Sequence, residues 1–350
     1  MVNKRPAAAP QLISLFGALC AFLSAIEYLF PKPLPFLRLG LSNIPLMLAL
    51  FFDARSFFAL LAVKIMSAAL LSGSLFSYIF LLSAAGGLSS GLVMFTLHRL
   101  LGETRISFAG LGVCGALASN LAQLVLARYA VLGKGALLLV PPFIAFATVS
   151  GMVMGVLCGV FSAGSRWYAG ICSAPASPSP AAAVPAASAA VPAGGKSAAA
   201  FFCAGLCAAA AVIITQDIKM KAIQFICILI IFIVLRNKNN YLLSCIFFLS
   251  IIIFNMIVPY GRVLAEIGRF RLTEGSLMDG LRKALTMQSL IFISRICIKK
   301  EITLPGKAGA VISGTFRCLA YLNKQSTKID RKNLIKSIDA ILINMSKAET

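Results

Sequence analysis

Long apolar runs separated by short polar segments dominate the chain and predict membrane helices. The first half contains six such runs, most of roughly the 17–25 residues that cross about 30 Å of hydrocarbon. They are Leu12–Phe30, Phe36–Phe52, Ser56–Leu71, Leu75–Leu97, Ile106–Leu132 and Ala136–Ser162. In the second half, three runs and a fourth, more polar one predict further crossings: Ala198–Thr215, Met220–Leu235, Tyr241–Val258 and Leu277–Ile298.

A stretch rich in Ala, Pro and Ser separates the two halves and is typical of an extended tether. The pattern therefore predicts an all-α, polytopic membrane protein with a six-helix domain at 1–162 and a linker at 163–197. A second membrane domain occupies 198–298, and a basic helical tail occupies 299–350. Within the tail, Ile329–Met345 has apolar residues at helical spacing, which suits a membrane surface or a partner helix.

Composition agrees with a membrane location. The chain is 59% hydrophobic and 12% charged, whereas soluble domains contain roughly 25% charged residues. The net charge of +21 indicates positive cytoplasmic loops and contact with anionic lipids rather than nucleic acid. Basic residues are concentrated after Tyr260, so we expect the N-terminus and the C-terminus to be cytoplasmic.

Several polar residues interrupt the apolar runs of the first half. Such residues are costly in a bilayer, so they face either a ligand cavity or another helix. The segment Leu34–Leu50 also carries glycine and proline, which is typical of a broken helix that lines a cavity. The candidate substrate-binding residues are Glu27, Arg38, Gly40, Asn43, Lys64, Asn120 and Gln123. The alternative is that they hold helices together, at about 0.6 kcal/mol per hydrogen bond.

Three glycines in the sixth predicted helix, Gly151, Gly155 and Gly159, form two consecutive G-x-x-x-G steps. This spacing predicts close packing against a neighbouring helix and carries no information about substrate.

Motifs for catalysis are absent from the sequence. No phosphate-binding loop of the G-x-x-x-x-G-K-[ST] type occurs, and the five Asp are scattered rather than clustered to hold magnesium. The ten Cys form no C-x-x-C pair. We therefore expect no enzyme activity, no metal and no cofactor.

Three runs carry a resemblance to a known family: LRLGLSNIPLMLALF, SAAGGLSSGLVM and GLGVCGALASNLAQLVLA. Residues 12–162 resemble the Gx transporter family, whose members are often named heptaprenyl diphosphate synthase component I. The resemblance implies a six-helix substrate-binding subunit, similar to those of energy-coupling-factor transporters, in the bacterial inner membrane. On this resemblance, Gly40, Asn43, Lys64, Asn120 and Gln123 match the positions of its motifs. Ser119 stands where the family often has His.

The second half loosely resembles the transmembrane coupling subunit of the same transporters, through the segment Val258–Leu285. The resemblance implies a coupling role for four residues, Arg262, Thr273, Glu274 and Gly275. The Ala-Arg-Gly triplet that docks ATPases in that family is absent here. On this interpretation Arg317, or the helix after Ile329, would have to take its place.

These observations predict a transporter component that imports a small solute with separate ATPase subunits. The alternative is a non-catalytic accessory subunit of a heptaprenyl diphosphate synthase in isoprenoid biosynthesis. A membrane scaffold without substrate is a third interpretation, which a fully packed first half would favour.

Overall fold

The computed structural model describes residues 8–29, 39–102, 105–173, 196–235, 241–267, 270–297, 306–325 and 334–347. These residues form thirteen α-helices and one two-stranded antiparallel sheet. The helices of the first half are α1 Pro10–Leu29, α2 Asn43–Leu48, α3 Ala54–Ser72, α4 Tyr78–Leu101, α5 Phe108–Ala127, α6 Val140–Gly164 and α7 Arg166–Ser173. The later elements are α8 Lys196–Ile214, α9 Ile218–Val234, α10 Tyr241–Met256, β1 Val263–Ile267, β2 Phe270–Thr273, α11 Glu274–Cys297, α12 Gly306–Gln325 and α13 Leu334–Lys347.

Among the described residues, five helical segments are long and apolar enough to cross a membrane: Pro10–Glu27, Ala54–Ser72, Tyr78–Leu101, Phe108–Val131 and Gly135–Gly164. The all-α, multi-pass architecture predicted from the hydrophobic pattern is confirmed. These segments correspond to the first, third, fourth, fifth and sixth predicted crossings.

The second predicted crossing, Phe36–Phe52, is wrong. Its described part contains only α2, a helix of six residues, and the 3₁₀ turn Ala49–Phe51. Six residues rise about 9 Å, which is far short of a bilayer. Leu46 and Met47 are almost completely buried. This run is therefore apolar because it fills the protein core, and not because it faces lipid.

Helices α5 and α6 pack backbone against backbone through glycines, as the G-x-x-x-G spacing predicts. A Cβ atom added to Gly112 on α5 would lie 2.3 Å from the carbonyl oxygen of Gly151 on α6. A Cβ atom on Gly155 would lie 2.3 Å from the carbonyl oxygen of Phe108. Gly159 is different, because its added Cβ would meet only the Phe108 ring, at 3.9 Å. Two of the three predicted glycines thus lie in the close contact.

Helix α11 is the centre of the second half and packs against α8, α9 and α10. It buries polar residues among them, including Ser276, Gln288 and Ser294. The more polar fourth crossing predicted here is thus a helix enclosed by protein.

A side-chain link joins this region to the first half. Asn255 Nδ2 donates to Val131 O over 2.9 Å, and Lys283 Nζ donates to Asn255 Oδ1 over 2.8 Å.

The described helices of the tail pack back onto the first half. Helix α12 lies against α1 and α3, with Ser14 Oγ donating to Val311 O over 3.0 Å. Helix α13 contacts α6 and α7, and its Leu342 is fully buried in the same core. The amphipathic face predicted at Ile329–Met345 therefore covers helices of its own chain in the part that the structure describes.

Candidate functional site

A polar cavity lies inside the first half, between the segment that precedes α2 and helices α3, α4 and α5. It encloses about 570 Å³ of empty space, including its open mouth. The space that water itself can occupy is about 50 Å³, enough for a few water molecules and smaller than the roughly 300–1,000 Å³ of typical small-molecule sites. The residues that line the polar cavity are Leu39, Gly40, Ser42, Asn43, Lys64, Ile65, Ala68, Ser83, Gly87, Ala116, Ser119, Asn120 and Gln123.

The turn before α2 places Asn43 at this cavity. Gly40 adopts φ +87°, a left-handed conformation that costs little for glycine and more for other residues. The amide of Asn43 donates to Gly40 O over 2.8 Å and closes the turn. The Asn43 side chain then faces α3, where its Oδ1 accepts a hydrogen bond from Lys64 Nζ.

Lys64 contributes the only ammonium group among the lining residues. It lies in the middle of α3 and is 7% exposed. A buried charge is tolerated when hydrogen-bonding groups replace its lost water. The Asn43 carbonyl supplies one such group, and the other polar side chains of the cavity wall lie in the turn before α2 and on α4 and α5.

Helix α5 presents one polar face to the cavity. Ser119, Asn120 and Gln123 lie within one turn of each other, so their side chains share that face. Gln123 Nε2 donates to Ser119 Oγ over 2.8 Å. Gly86 on α4 makes room for this pair, because a Cβ atom there would lie 2.3 Å from Gln123 Nε2.

The structure brings together five of the seven predicted substrate-binding residues: Gly40, Asn43, Lys64, Asn120 and Gln123. Glu27 is not among the lining residues, although it is buried on α1 at 3% exposure. Helix α1 packs mainly against α3 and α12 instead. Arg38 lies outside the described residues, so its predicted role has no structural account.

Sequence reasoning missed several lining residues. Ser42 directly precedes Asn43, and Ser83 and Gly87 lie four residues apart on one face of α4. A signal was present, since small and hydroxyl residues four apart in an apolar helix mark a face that meets protein rather than lipid.

The polar cavity offers one cation and several hydrogen-bonding groups. Its lining combines one ammonium, three side-chain amides and several hydroxyls, which could form hydrogen bonds with a polar ligand. No histidine, cysteine or carboxylate is among the lining residues that the structure describes.

The four predicted coupling residues lie together where the β-hairpin meets α11. Thr273 Oγ1 is 2.7 Å from Ser276 Oγ and accepts from the amide of Tyr260 over 3.1 Å. The amide of Glu274 donates to Arg262 O over 2.8 Å. Gly275 is tightly packed, because an added Cβ would lie 2.7 Å from Tyr260 O. These contacts hold the hairpin to the start of α11, and a coupling role stays a prediction.

One known family model matches most of the first half of the chain. Residues 16–161 match the family model of heptaprenyl diphosphate synthase component I. The match spans most of α1 and all of α2 to α5, and it ends within α6, so it includes every residue that lines the polar cavity. This confirms the predicted resemblance to the component I family.

The second half matches a different family model. Residues 199–300 match a domain of unknown function, DUF8519. This region comprises most of α8 together with α9, α10, the hairpin and α11. Its description names no activity, so similarity to a coupling subunit stays a prediction. No curated protein and no solved structure matches the chain.

Proposed function

We propose that this protein is a membrane transporter component that binds a small solute in the polar cavity for ATP-driven uptake with separate ATPase subunits. One observation carries the proposal. Five residues from three separate elements, predicted as a site from sequence, line a single polar cavity. Polar groups that converge on a hollow within an apolar bundle are typical of a substrate site.

The geometry argues against helix packing as the sole role of Lys64 and Gln123, whereas Asn120 Nδ2 donates to Phe143 O on α6 over 3.5 Å and so joins two helices. Residues that act as interhelical glue pair across a filled interface. Here the Lys64–Asn43 and Gln123–Ser119 hydrogen bonds lie in the wall of an open cavity. The same space disfavours a dry scaffold, because a packed interior leaves few voids larger than a water molecule.

The tail supplies the proposed link to ATPase subunits. Helix α12 packs against α1 and against α3, which carries Lys64. On its outer face, Arg317 is exposed and available to a partner protein. Both termini would face the cytoplasm, and the contact between Ser14 and Val311 supports this arrangement by placing α12 beside the start of α1.

The experiment compares small molecules that remain bound to the purified protein. Wild-type protein would be purified in detergent from its expression host, and the molecules it retains would be extracted and measured by mass spectrometry. We expect Lys64→Met to lose the solute that the wild type retains while eluting as the same folded species. Lys219→Met replaces an exposed lysine on α9 and should retain it. Equal retention by Lys64→Met would remove this lysine from the site.

The description of the matched family favours one alternative function. On that alternative, the chain is a non-catalytic membrane subunit of a heptaprenyl diphosphate synthase and presents a lipid substrate to a soluble partner. Affinity purification of the full chain from its native membrane separates the two functions. ATPase subunits in the eluate would support transport, whereas a soluble synthase rich in Asp would support the accessory subunit.

A further inference from the structure

Three cationic side chains lie near each other in the second half, on elements that do not line the polar cavity. Lys221 is in the first turns of α9, and Arg282 and Lys283 are in the first half of α11. Arg282 lies within electrostatic range of both lysines. We name these three residues the α9–α11 basic cluster.

Lys221 is the most deeply buried member of the cluster, at 4% exposure. Its ammonium donates to Val212 O over 2.9 Å and to Thr286 Oγ1 over 2.7 Å. Both acceptors are neutral. An ammonium taken from water into a protein interior is costly when no opposite charge compensates it, and no carboxylate of the described residues contacts Lys221.

Arg282 stands at the edge of the cluster and opens it to the outside. Its side chain is 40% exposed, and Nη1 pairs with Asp279 Oδ1 at 3.2 Å. The Nε atom is buried and has no hydrogen-bond partner within the described part of the chain. This guanidinium has an unpaired N–H and an exposed edge. Such a group can donate hydrogen bonds to an oxyanion.

The charges of the cluster do not balance. Lys283 donates to Asn255 Oδ1, which is neutral. Among the described residues, Asp279 is the carboxylate next to the cluster. It pairs with Arg282 and lies within electrostatic range of Lys283. Three cations therefore share one anion among the residues that the structure describes. An additional anion would offset the repulsion between them.

We propose that the α9–α11 basic cluster binds a phosphate group, with the Arg282 guanidinium and the Lys221 ammonium as its ligands. The phosphate oxygens accept from the exposed edge of the Arg282 guanidinium and from the ammonium of Lys221. The phosphate comes from an anionic phospholipid headgroup or from a free phosphate or diphosphate ion. This site is separate from the polar cavity and does not depend on the function proposed for it.

The test measures binding of defined probes to the full-length protein in a neutral detergent. Native mass spectrometry would compare phosphatidylglycerol with phosphatidylcholine, and thermal unfolding would be followed with inorganic phosphate and with diphosphate. The variants are Arg282→Gln, which changes a partly exposed residue, and Lys221→Met. Lys219→Met is the matched control, because it removes an exposed lysine two residues earlier on the same helix.

We expect the wild type and Lys219→Met to bind the anionic probe at least tenfold more tightly than Arg282→Gln. Preference for phosphatidylglycerol would identify a lipid headgroup, whereas stabilisation by phosphate or diphosphate alone would identify a soluble anion. Arg282→Gln keeps the test valid if Lys221→Met does not fold. Equal binding by Arg282→Gln and Lys219→Met, or no preference for any phosphate probe over phosphatidylcholine, would overturn the proposal. Solute retention in the polar cavity should be the same in all three variants.

Discussion

The glycine contact between α5 and α6 allows a prediction with an internal control. Gly155 and Gly159 lie one turn apart on α6, and the sequence motif treats them alike. The structure separates them. An alanine Cβ at Gly155 would lie 2.3 Å from Phe108 O and 2.5 Å from Ala109 Cα, whereas one at Gly159 would meet its nearest atom at 3.9 Å.

The expected magnitude follows from these distances. The atoms that Gly155→Ala would strike belong to the backbone of α5, so they cannot rotate away, and the two helices must separate by about 1 Å to restore contact distances. A gap of this size forfeits a quarter to a half of each atom–atom attraction of about 0.1–0.2 kcal/mol. Over about forty atom pairs in the interface, the loss is about 2 kcal/mol.

Helix propensity works in the opposite direction and is the same at both positions. Alanine is more favourable than glycine inside a helix by about 1 kcal/mol. Gly155→Ala should therefore lower the free energy of unfolding by about 1 kcal/mol net, while Gly159→Ala should leave it unchanged or raise it by up to about 1 kcal/mol. The difference between the two variants, about 1–2 kcal/mol, is the quantity to measure.

Reversible unfolding in mixed micelles provides the measurement. The purified protein would be titrated with sodium dodecyl sulfate in a neutral detergent, and the helical signal would be followed by circular dichroism. Gly155→Ala should unfold at a lower fraction of dodecyl sulfate than Gly159→Ala. If the two variants unfold at the same fraction, the α5–α6 contact does not have the geometry described here, and the argument from backbone contact fails.

Three further changes test other parts of the fold. Asp339→Ala should speed amide hydrogen exchange at the start of α7, because Asp339 accepts from the Ser165 hydroxyl and from the first amides of that helix. Asn255→Leu should lower the midpoint of thermal unfolding by removing the hydrogen bond to Val131 O, at a cost of about 1–3 kcal/mol. Gly40→Ala should reduce solute retention, because its Cβ would lie 3.1 Å from Asn43 Nδ2. Gly102→Ala is its control, since it also has positive φ but has open space around it.

The number of long helices in the first half was overestimated for a physical reason. The length and hydrophobicity of a segment indicate how unfavourable its exposure to water is. They do not distinguish lipid from a protein core, because both surroundings are apolar. The run at Phe36–Phe52 satisfied both criteria, although Gly40 and Pro45 interrupt its backbone. In the sixth run Pro141 and Pro142 lie in the first turn of α6, where proline removes no helical hydrogen bond. The predicted positions of the other five runs agree with the structure within a few residues in most cases.

The polar cavity was partly predictable because two kinds of information are local. The spacing of Asn120 and Gln123 puts both side chains on one helix face. Gly40 and Asn43 are three residues apart, so one turn brings them together. Whether that face turns toward Lys64 depends on the rotation of α5 relative to α3, which only packing determines. Glu27 shows the limit of such reasoning. It is buried, but it does not line the cavity, although its helix packs against α3.

The same limit explains why the partner of the tail could not be predicted. Periodicity predicted an apolar face near the C-terminus but could not name its partner, which is α7 and the end of α6. Helix α12 packs in turn on α1 and α3, while α11 is held by α8, α9 and α10. A displacement of α12 would therefore either separate it from α1 or carry α1 along with it. Because α3 contacts both α1 and α12 and carries Lys64, either movement would reach the wall of the polar cavity.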